Sequence, residues 1–291
     1  MGIFYAYEEN NENPDGEEVA QMKRKKHILS KFLLGLFVLS IVIPVLLLLV
    51  WVFTERWAWP SLLPQVFSTR AIQEILGRKG QLAGLFLSSV MISLTVAALS
   101  VVIALMTARA LTFYEFRGKN LLYFCAILPF MVPATVFAMG VQVTFIKMGL
   151  NNTIRGVVIA HLICSLPYAV RLMMDGTAAV GSELEEQARV LGATSWQAFF
   201  KITFPMLVPV MLSSFSMAYI VSFSQYFLTL LIGGGQVKTF TIVMVPYLQG
   251  GDRNIASVYS ALFLGITLVI FGLLEWIAGK WNRDNSVEFY S

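Results

Sequence analysis

The chain has 291 residues, of which 57% are hydrophobic and 13% are charged, and its mean hydropathy is +0.72. This composition excludes an ordinary soluble domain. The formal net charge is only +4 and no long basic run occurs, so the charge does not favour a nucleic-acid-binding role. Cys125 and Cys164 both lie in apolar runs. We predict that they are buried free thiols, without a disulfide framework or a metal site.

The N-terminal region is polar and ends in a basic cluster. The first 22 residues are acidic and rich in asparagine, and Lys23-Arg24-Lys25-Lys26 follows them. The next apolar run, 32–53, is too long for the hydrophobic core of a signal peptide. We therefore predict a disordered cytoplasmic leader over residues 1–30 and a retained first transmembrane helix.

Further apolar stretches are candidates for crossing about 30 Å of hydrocarbon. They cover residues 80–108, 120–146, 156–170, 205–231 and 254–274. We predict an all-α polytopic membrane protein with six transmembrane helices. The six-span domain would cover 31–279, with its core at 80–279, and a cytoplasmic tail would cover 280–291. Lysine and arginine are more frequent on the side of the termini, so both termini are predicted to be cytoplasmic.

A polar insert, residues 182–205, separates the fourth and fifth predicted spans. Ser182 and Glu185 have the spacing of a capping box, and Thr194 and Gln197 form a second one. Gly192 follows the first helical stretch, at a position where a helix end favours a left-handed backbone. The pattern predicts a short helix over about 183–191, a turn, and a second short helix over about 195–204.

Five positions of the insert resemble the EAA loop of permease subunits of binding-protein-dependent type I ABC importers, the MetI-like superfamily. They are Glu186, Ala188, Gly192, Ile202 and Pro205. Gln187 and Phe204 depart from the family's pattern, and neither change disturbs the two-helix arrangement. The resemblance covers about 80–279.

The resemblance implies a role and a set of partners. The insert would be a cytoplasmic hairpin that couples to an ATPase, through Glu185, Glu186, Ala188, Gly192, Ile202 and Pro205. The expected partners are a second permease subunit (a sister chain), two ABC ATPase subunits and an extracytoplasmic solute-binding protein. The chain itself would be no enzyme and would hold no cofactor, since ATP and Mg would bind to the partner ATPase. The expected location is the prokaryotic plasma (inner) membrane.

The segment 222–226 and the glycine-rich turn after it resemble the branch that serves polyamines, ferric iron, thiamine and phosphonates, more than the sugar branch. The resemblance therefore implies a small charged solute such as a polyamine. The Gly233-Gly234-Gly235 turn lacks the lysine spacing and the leading strand of a phosphate-binding loop, so we expect ATP hydrolysis in another subunit.

Polar residues inside the predicted spans are candidates for a translocation pathway, because burying them in lipid is costly. The candidates are Gln142, His161, Tyr219, Ser222, Gln225 and Tyr226. Hydroxyls at helical spacing more often pack between helices, and a lone histidine more often makes an interhelical hydrogen bond. Packing therefore stays open as the alternative. For the whole chain, the alternative function is a self-contained channel or secondary transporter whose insert binds a regulator.

Overall fold

The computed structural model describes residues 14–288 and divides the chain into two compact units, which meet between Trp51 and Val52. The described part of the first unit, 14–51, is α1 (Pro14–Val52) without its last residue, and α1 contains the candidate span Leu29–Val52. The predicted disorder of residues 1–30 is wrong from Pro14 onward, because residues with good helix propensity extend the span as a helix. Residues 1–13 lie outside the described residues.

The described part of the second unit, 52–288, consists of helices, one short hairpin and the connecting loops. Two strands, β1 (Thr54–Arg56) and β2 (Val66–Phe67), pair in the antiparallel direction. The helices that follow are α2 (Arg70–Gly77), α3 (Lys79–Phe113), α4 (Lys119–Met131), α5 (Ala134–Lys147), α6 (Ile154–Val180), α7 (Glu183–Val190), α8 (Ser195–Ala198), α9 (Phe204–Phe223), α10 (Phe227–Gly233), α11 (Phe240–Gly250) and α12 (Arg253–Glu288).

Within residues 14–288, five helical segments are long and apolar enough to cross a membrane, and a bent helix pair raises the number to six. Besides Leu29–Val52 they are Lys79–Phe113, Ile154–Val180, Ser195–Phe223 and Arg253–Ile277. The predicted all-α polytopic fold is therefore confirmed.

The third predicted span, 120–146, is broken. Helices α4 and α5 meet at Val132 and Pro133 with a bend of 108°. Proline lacks the backbone N–H of a regular helix and drives the preceding residue into an extended conformation, and Val132 has the extended ψ of 129°. The sequence predicted one transmembrane helix over this stretch, and the structure has two helices joined at the bend.

The fifth predicted span, 205–231, is also wrong in its bounds. Its helix begins at Ser195, upstream of Pro205, and it ends at Phe223. A short break, 224–226, then precedes α10. The Gln225 carbonyl accepts hydrogen bonds from the hydroxyls of Thr229 and Thr241, at 2.9 and 3.0 Å, and is thereby stabilised at the break.

Helices α3, α6 and α9 form the centre of the second unit. Small side chains allow α3 and α6 to approach closely, and the hydroxyls of Ser100 and Ser165 share a hydrogen bond of 2.7 Å between them. A Cβ at Gly176 of α6 would lie 2.5 Å from a methyl group of Val210 of α9. These contacts require small residues.

The two cysteines are free, as predicted, but the expectation that both are buried is wrong. Cys164 is half-buried in α6, whereas Cys125 is exposed on α4. The outer face of α4 is apolar and lacks protein cover within the described chain, so an apolar sequence context did not imply burial in the protein.

Candidate functional site

The turn of the insert at Gly192 has the geometry that the sequence predicts. Gly192 has a φ of +96°, which is in the left-handed region that favours glycine. Its N–H donates to the Arg189 carbonyl at 3.0 Å, and the Ala193 N–H donates to the Ala188 carbonyl at 3.0 Å. These two bonds form a Schellman motif, which satisfies the last carbonyls of α7. The turn is therefore specified locally, and Ala188 lies half-buried inside it.

Only one of the two predicted capping boxes forms. The Thr194 hydroxyl accepts from the Gln197 N–H at 3.3 Å, and the Gln197 side chain accepts from the Thr194 N–H at 2.9 Å. Ser182 makes no capping bond, so the first box is wrong. Its backbone is in the helical region, and its hydroxyl donates instead to the Glu186 carboxylate at 2.8 Å. The entry to α7 depends on Gly181, which has a φ of +72° and lies against the Glu183 carboxylate.

Glu185 attaches the insert to the helical bundle. The Arg109 guanidinium, in the last turns of α3, donates from Nη2 to both carboxylate oxygens of Glu185, at 3.0 and 3.2 Å. The Thr203 hydroxyl donates to the same carboxylate at 2.8 Å. The Arg109 and Glu185 side chains are only 18% and 15% exposed, so solvent screens this ion pair weakly. One carboxylate therefore joins α3, α7 and the start of the following span.

Aromatic rings enclose the other side of Arg109. Its guanidinium carbon lies 4.7 Å from the centre of the Phe199 ring and 5.6 Å from that of Phe113. Phe199 begins a π-helical turn, Phe199–Thr203, that joins α8 to α9. The wider turn accommodates Pro205, which lacks an N–H and whose ring crowds the carbonyl four residues earlier in a regular α-helix. Ile202 and Pro205, both half-buried, therefore lie in one continuous helix with the span.

The opposite face of the insert is exposed and partly apolar. Its exposed large side chains are Leu184, Val190, Leu191, Trp196 and Phe200. The Trp196 and Phe200 rings stack at 5.4 Å. Glu186 is exposed beside this face, and within residues 14–288 it makes no ion pair. A rigid, exposed surface that presents the Glu186 carboxylate is suited to bind another protein.

The second group of predicted residues meets at the α9–α10 break. His161 of α6 is 1% exposed, and its Nδ1 lies 2.9 Å from the Ser222 hydroxyl. Its Nε2 lies 2.9 Å from the Thr229 hydroxyl, which donates its single proton to the Gln225 carbonyl. All these contacts are satisfied when Nε2–H donates to Thr229 and Nδ1 accepts from Ser222. His161 thus makes the interhelical bonds that were the alternative to a pathway role.

The remaining pathway candidates do not share one helical face. Gln142 donates from its side chain to the Leu231 carbonyl at 3.2 Å. Tyr219 is buried in α9 and stacks on Phe223 at 5.5 Å; its hydroxyl has no hydrogen-bond partner among the described residues. Gln225 and Tyr226 lie in the break after α9, so they are not on the same helix as Tyr219.

The sequence reasoning missed several residues that build these sites. Arg109, Thr203 and Thr229 had no local signal, because the residues that they contact lie far away in the chain. Gly181, by contrast, had a local signal: it follows a long helical pattern, and a glycine at such a position commonly marks the end of a helix.

Comparison with known proteins identifies the family. The family described as "binding-protein-dependent transport system inner membrane component" matches residues 100–283, which is more than half of the chain. This chain belongs to that family. It is a multi-pass membrane protein with a MetI-like permease domain, and the predicted resemblance is confirmed.

Individual relatives carry more specific names. The chain is 31% identical over 166 residues to a molybdate/tungstate transport system permease protein of Pyrococcus abyssi. The match covers 57% of this chain and 66%, just under two thirds, of the relative. It is 26% identical over 197 residues to the sulfate transport system permease protein of Escherichia coli, covering 62% of this chain and 71% of that one.

Solved structures support the fold. A bacterial ABC transporter involved in the import of the acidic polysaccharide alginate matches with a TM-score of 0.63 and 17% identity, over 94% of this chain and 99% of that one. The methionine ABC transporter MetNI, in an inward-facing form, matches with a TM-score of 0.51 and 14% identity, over 70% of this chain and 97% of that one.

Proposed function

We propose that this family member is the permease subunit of an ATP-driven importer and that its insert couples to a cytoplasmic ATPase. The observation that supports this most directly is the construction of the insert. One face is attached to α3 through Arg109 and Glu185, and the other presents Glu186 and exposed apolar side chains. An element that transmits movement from a partner must be attached rigidly to the bundle on one side and must expose its other side to the partner.

Roles within the insert follow from this geometry. Glu186 would receive a basic group of the ATPase, since its carboxylate is exposed. Glu185 would act as a positioning residue, because its carboxylate is bound to Arg109 and Thr203. Ala188 and Gly192 would shape the contacting turn. Ile202 and Pro205 would transmit displacement into the span, since they lie in the same continuous helix.

The proposed assembly contains two permease subunits, this chain and a sister chain, with two ATPase subunits on the inserts. An extracytoplasmic solute-binding protein would deliver the solute, and the alginate transporter was solved in complex with a periplasmic protein. ATP binding closes the ATPase pair and opens the pathway outward, and hydrolysis returns it to the inward-facing state. Both termini and the insert would lie in the cytoplasm, and this chain would hold neither ATP nor Mg.

Variants of the insert test coupling without disturbing the bundle. We expect Glu186→Lys to abolish stimulation of ATPase activity by the loaded binding protein in proteoliposomes, while the chain stays folded and inserted. Gly192→Asn tests the approach of the partner, since asparagine tolerates the left-handed backbone and a Cβ at this position meets no atom within 4 Å. We expect Gly192→Asn to keep the fold and weaken ATPase association.

The matched control is Arg117→Gln, an exposed cation in the loop after α3, outside the insert. It should leave coupling unchanged. Transport by the purified chain without ATP, or full coupling in Glu186→Lys, would overturn the proposal in favour of a self-contained channel or secondary transporter.

The solute is proposed to be an inorganic oxyanion of the molybdate or sulfate type, in place of the polyamine expected from the sequence. The stretches 118–174 and 187–251, which include α4, α5, the part of α6 before Asp175 and α9–α11, contain no Asp or Glu. A polyamine needs carboxylate partners when it leaves water, whereas an oxyanion needs N–H and O–H donors. Lys147, Arg155 and Lys238 are exposed at the bundle end opposite the insert and would attract an anion there.

Uptake by the complete importer in proteoliposomes tests the solute. We expect ATP-dependent uptake of radiolabelled molybdate or sulfate and none of putrescine. The double variant Arg155→Gln/Lys238→Gln should lower uptake several-fold at low salt and less at high salt, because salt screens exposed charges. Putrescine uptake that the oxyanions do not compete with would contradict the assignment.

A further inference from the structure

The loop 57–69, between β1 and α2, exposes an unusual amount of apolar surface. Trp59 is 92% exposed, Leu62 88%, Leu63 76% and Phe67 68%. Side chains of this size and exposure so close together exceed what a soluble surface normally carries. The loop has a defined conformation, since the Trp57 indole N–H donates to the Ser61 carbonyl at 2.9 Å and Phe67 belongs to β2. The loop therefore presents a shaped apolar surface.

Charge is absent from the same stretch. No Asp, Glu, Lys or Arg occurs from Trp57 to Thr69, whereas Glu55 and Arg56 precede it and Arg70 follows it. Tryptophan, leucine and phenylalanine without charge are typical of segments at the boundary between lipid headgroups and acyl chains. The charged residues Glu55, Arg56 and Arg70 lie only at the two ends of this stretch, so the apolar side chains between them form an uncharged surface that is suited to lipid.

The base of the loop is at the level where a span begins. The Asn254 side-chain amide, in the first turn of α12, donates to the Val52 carbonyl at 2.9 Å. At the other end of the loop, Arg70 forms an ion pair of 3.0 Å with Asp252. The candidate span of α12 starts at Arg253. Val52, just before β1, and Arg70, just after the loop, are thereby held beside the first residues of a membrane-crossing helix.

We propose that the loop 57–69 is a membrane-interface anchor, with Trp59, Leu62, Leu63 and Phe67 inserted among the lipids at the boundary where α12 enters the bilayer. The anchor sets the depth of the α12 start through the Asn254 and Arg70 contacts. This role goes beyond the import function and holds whichever solute is carried.

Fluorescence quenching by lipids tests the anchor. Trp51, Trp57, Trp196, Trp276 and Trp281 are replaced by Phe, so that Trp59 is the only indole. The full chain is reconstituted in vesicles of phosphatidylcholine and phosphatidylglycerol, with or without bromine on the acyl chains near the headgroup. We expect brominated lipid to reduce Trp59 emission at least about two-fold and aqueous acrylamide to quench it weakly.

The matched control retains only Trp196, which is 73% exposed on the insert. Its emission should respond to acrylamide and far less to brominated lipid. If five replacements prevent folding, the difference between the native chain and W59F reports the same quenching. Quenching of Trp59 no stronger than that of Trp196 would overturn the proposal. The proposal would also be overturned if Trp59 became protected from acrylamide only after the solute-binding protein was added. That result would indicate a surface that binds protein.

Discussion

The insert and the α9–α10 break both hold the backbone away from a regular helix, but they use different chemistry. The insert uses an ion pair, Arg109 with Glu185, at the end of the bundle. The break uses neutral hydrogen bonds: between packed helices, His161 donates to the Thr229 hydroxyl and accepts from the Ser222 hydroxyl. Charge is tolerable where water is near and costly inside the hydrocarbon region. The comparison teaches that depth in the membrane selects the kind of polar anchor.

The largest expected effect is at the charged anchor. Glu185→Ala removes the carboxylate that pairs with Arg109. The guanidinium then stays partly buried between aromatic rings without a counter-ion, so the free energy of unfolding should fall by about 3 kcal/mol. Thermal unfolding in detergent measures the loss. The matched control is Asp175→Ala, whose ion pair with Arg171 is exposed and should contribute less than about 1 kcal/mol. Equal shifts for the two variants would show that the enclosure of Arg109 is unimportant.

A smaller effect is expected at the neutral anchor. His161→Leu removes one partner from each of the Ser222 and Thr229 hydroxyls and should lower the free energy of unfolding by about 1–2 kcal/mol. Adding Ser222→Ala to His161→Leu removes the orphaned hydroxyl and should recover part of this loss in the same thermal assay. If the double variant is less stable than His161→Leu by the full amount that Ser222→Ala costs alone, the two side chains are independent and the proposed His161–Ser222 hydrogen bond is wrong.

The smallest effect is expected at the N-terminal caps of the two short helices of the insert, α7 and α8. Thr194→Ala removes a capping bond to the Gln197 N–H and should cost about 1 kcal/mol, whereas Ser182→Ala removes only an exposed side-chain bond and should cost a few tenths. Hydrogen exchange of the amides in 195–198 and 183–186 measures this. Faster exchange in the Ser182 variant than in the Thr194 variant would contradict the assignment of the caps.

Accuracy of the sequence predictions depended on the distance between interacting residues. Thr194 caps Gln197 three residues away, and Gly192 closes a turn with Arg189, so both features were readable. Ser182 failed as a cap because its backbone lies in the helical region and its hydroxyl donates to the Glu186 carboxylate. The break after Phe223 could not be predicted, since the Gln225 carbonyl is held by a hydroxyl 16 residues away.

The sequence by itself determined the class of the fold, the family and the turn of the insert, because hydrophobic runs, capping signals and glycine positions act within one or two helical turns. Only the tertiary structure decided that the Glu185 carboxylate is paired with Arg109 and that the Glu186 carboxylate is exposed to solvent. Glu185 and Glu186 are neighbours in the chain, but Arg109 lies 76 residues before Glu185, and packing of α3 against the insert brings those two together. Local patterns carry no information on that contact, because it forms only when the helices assemble.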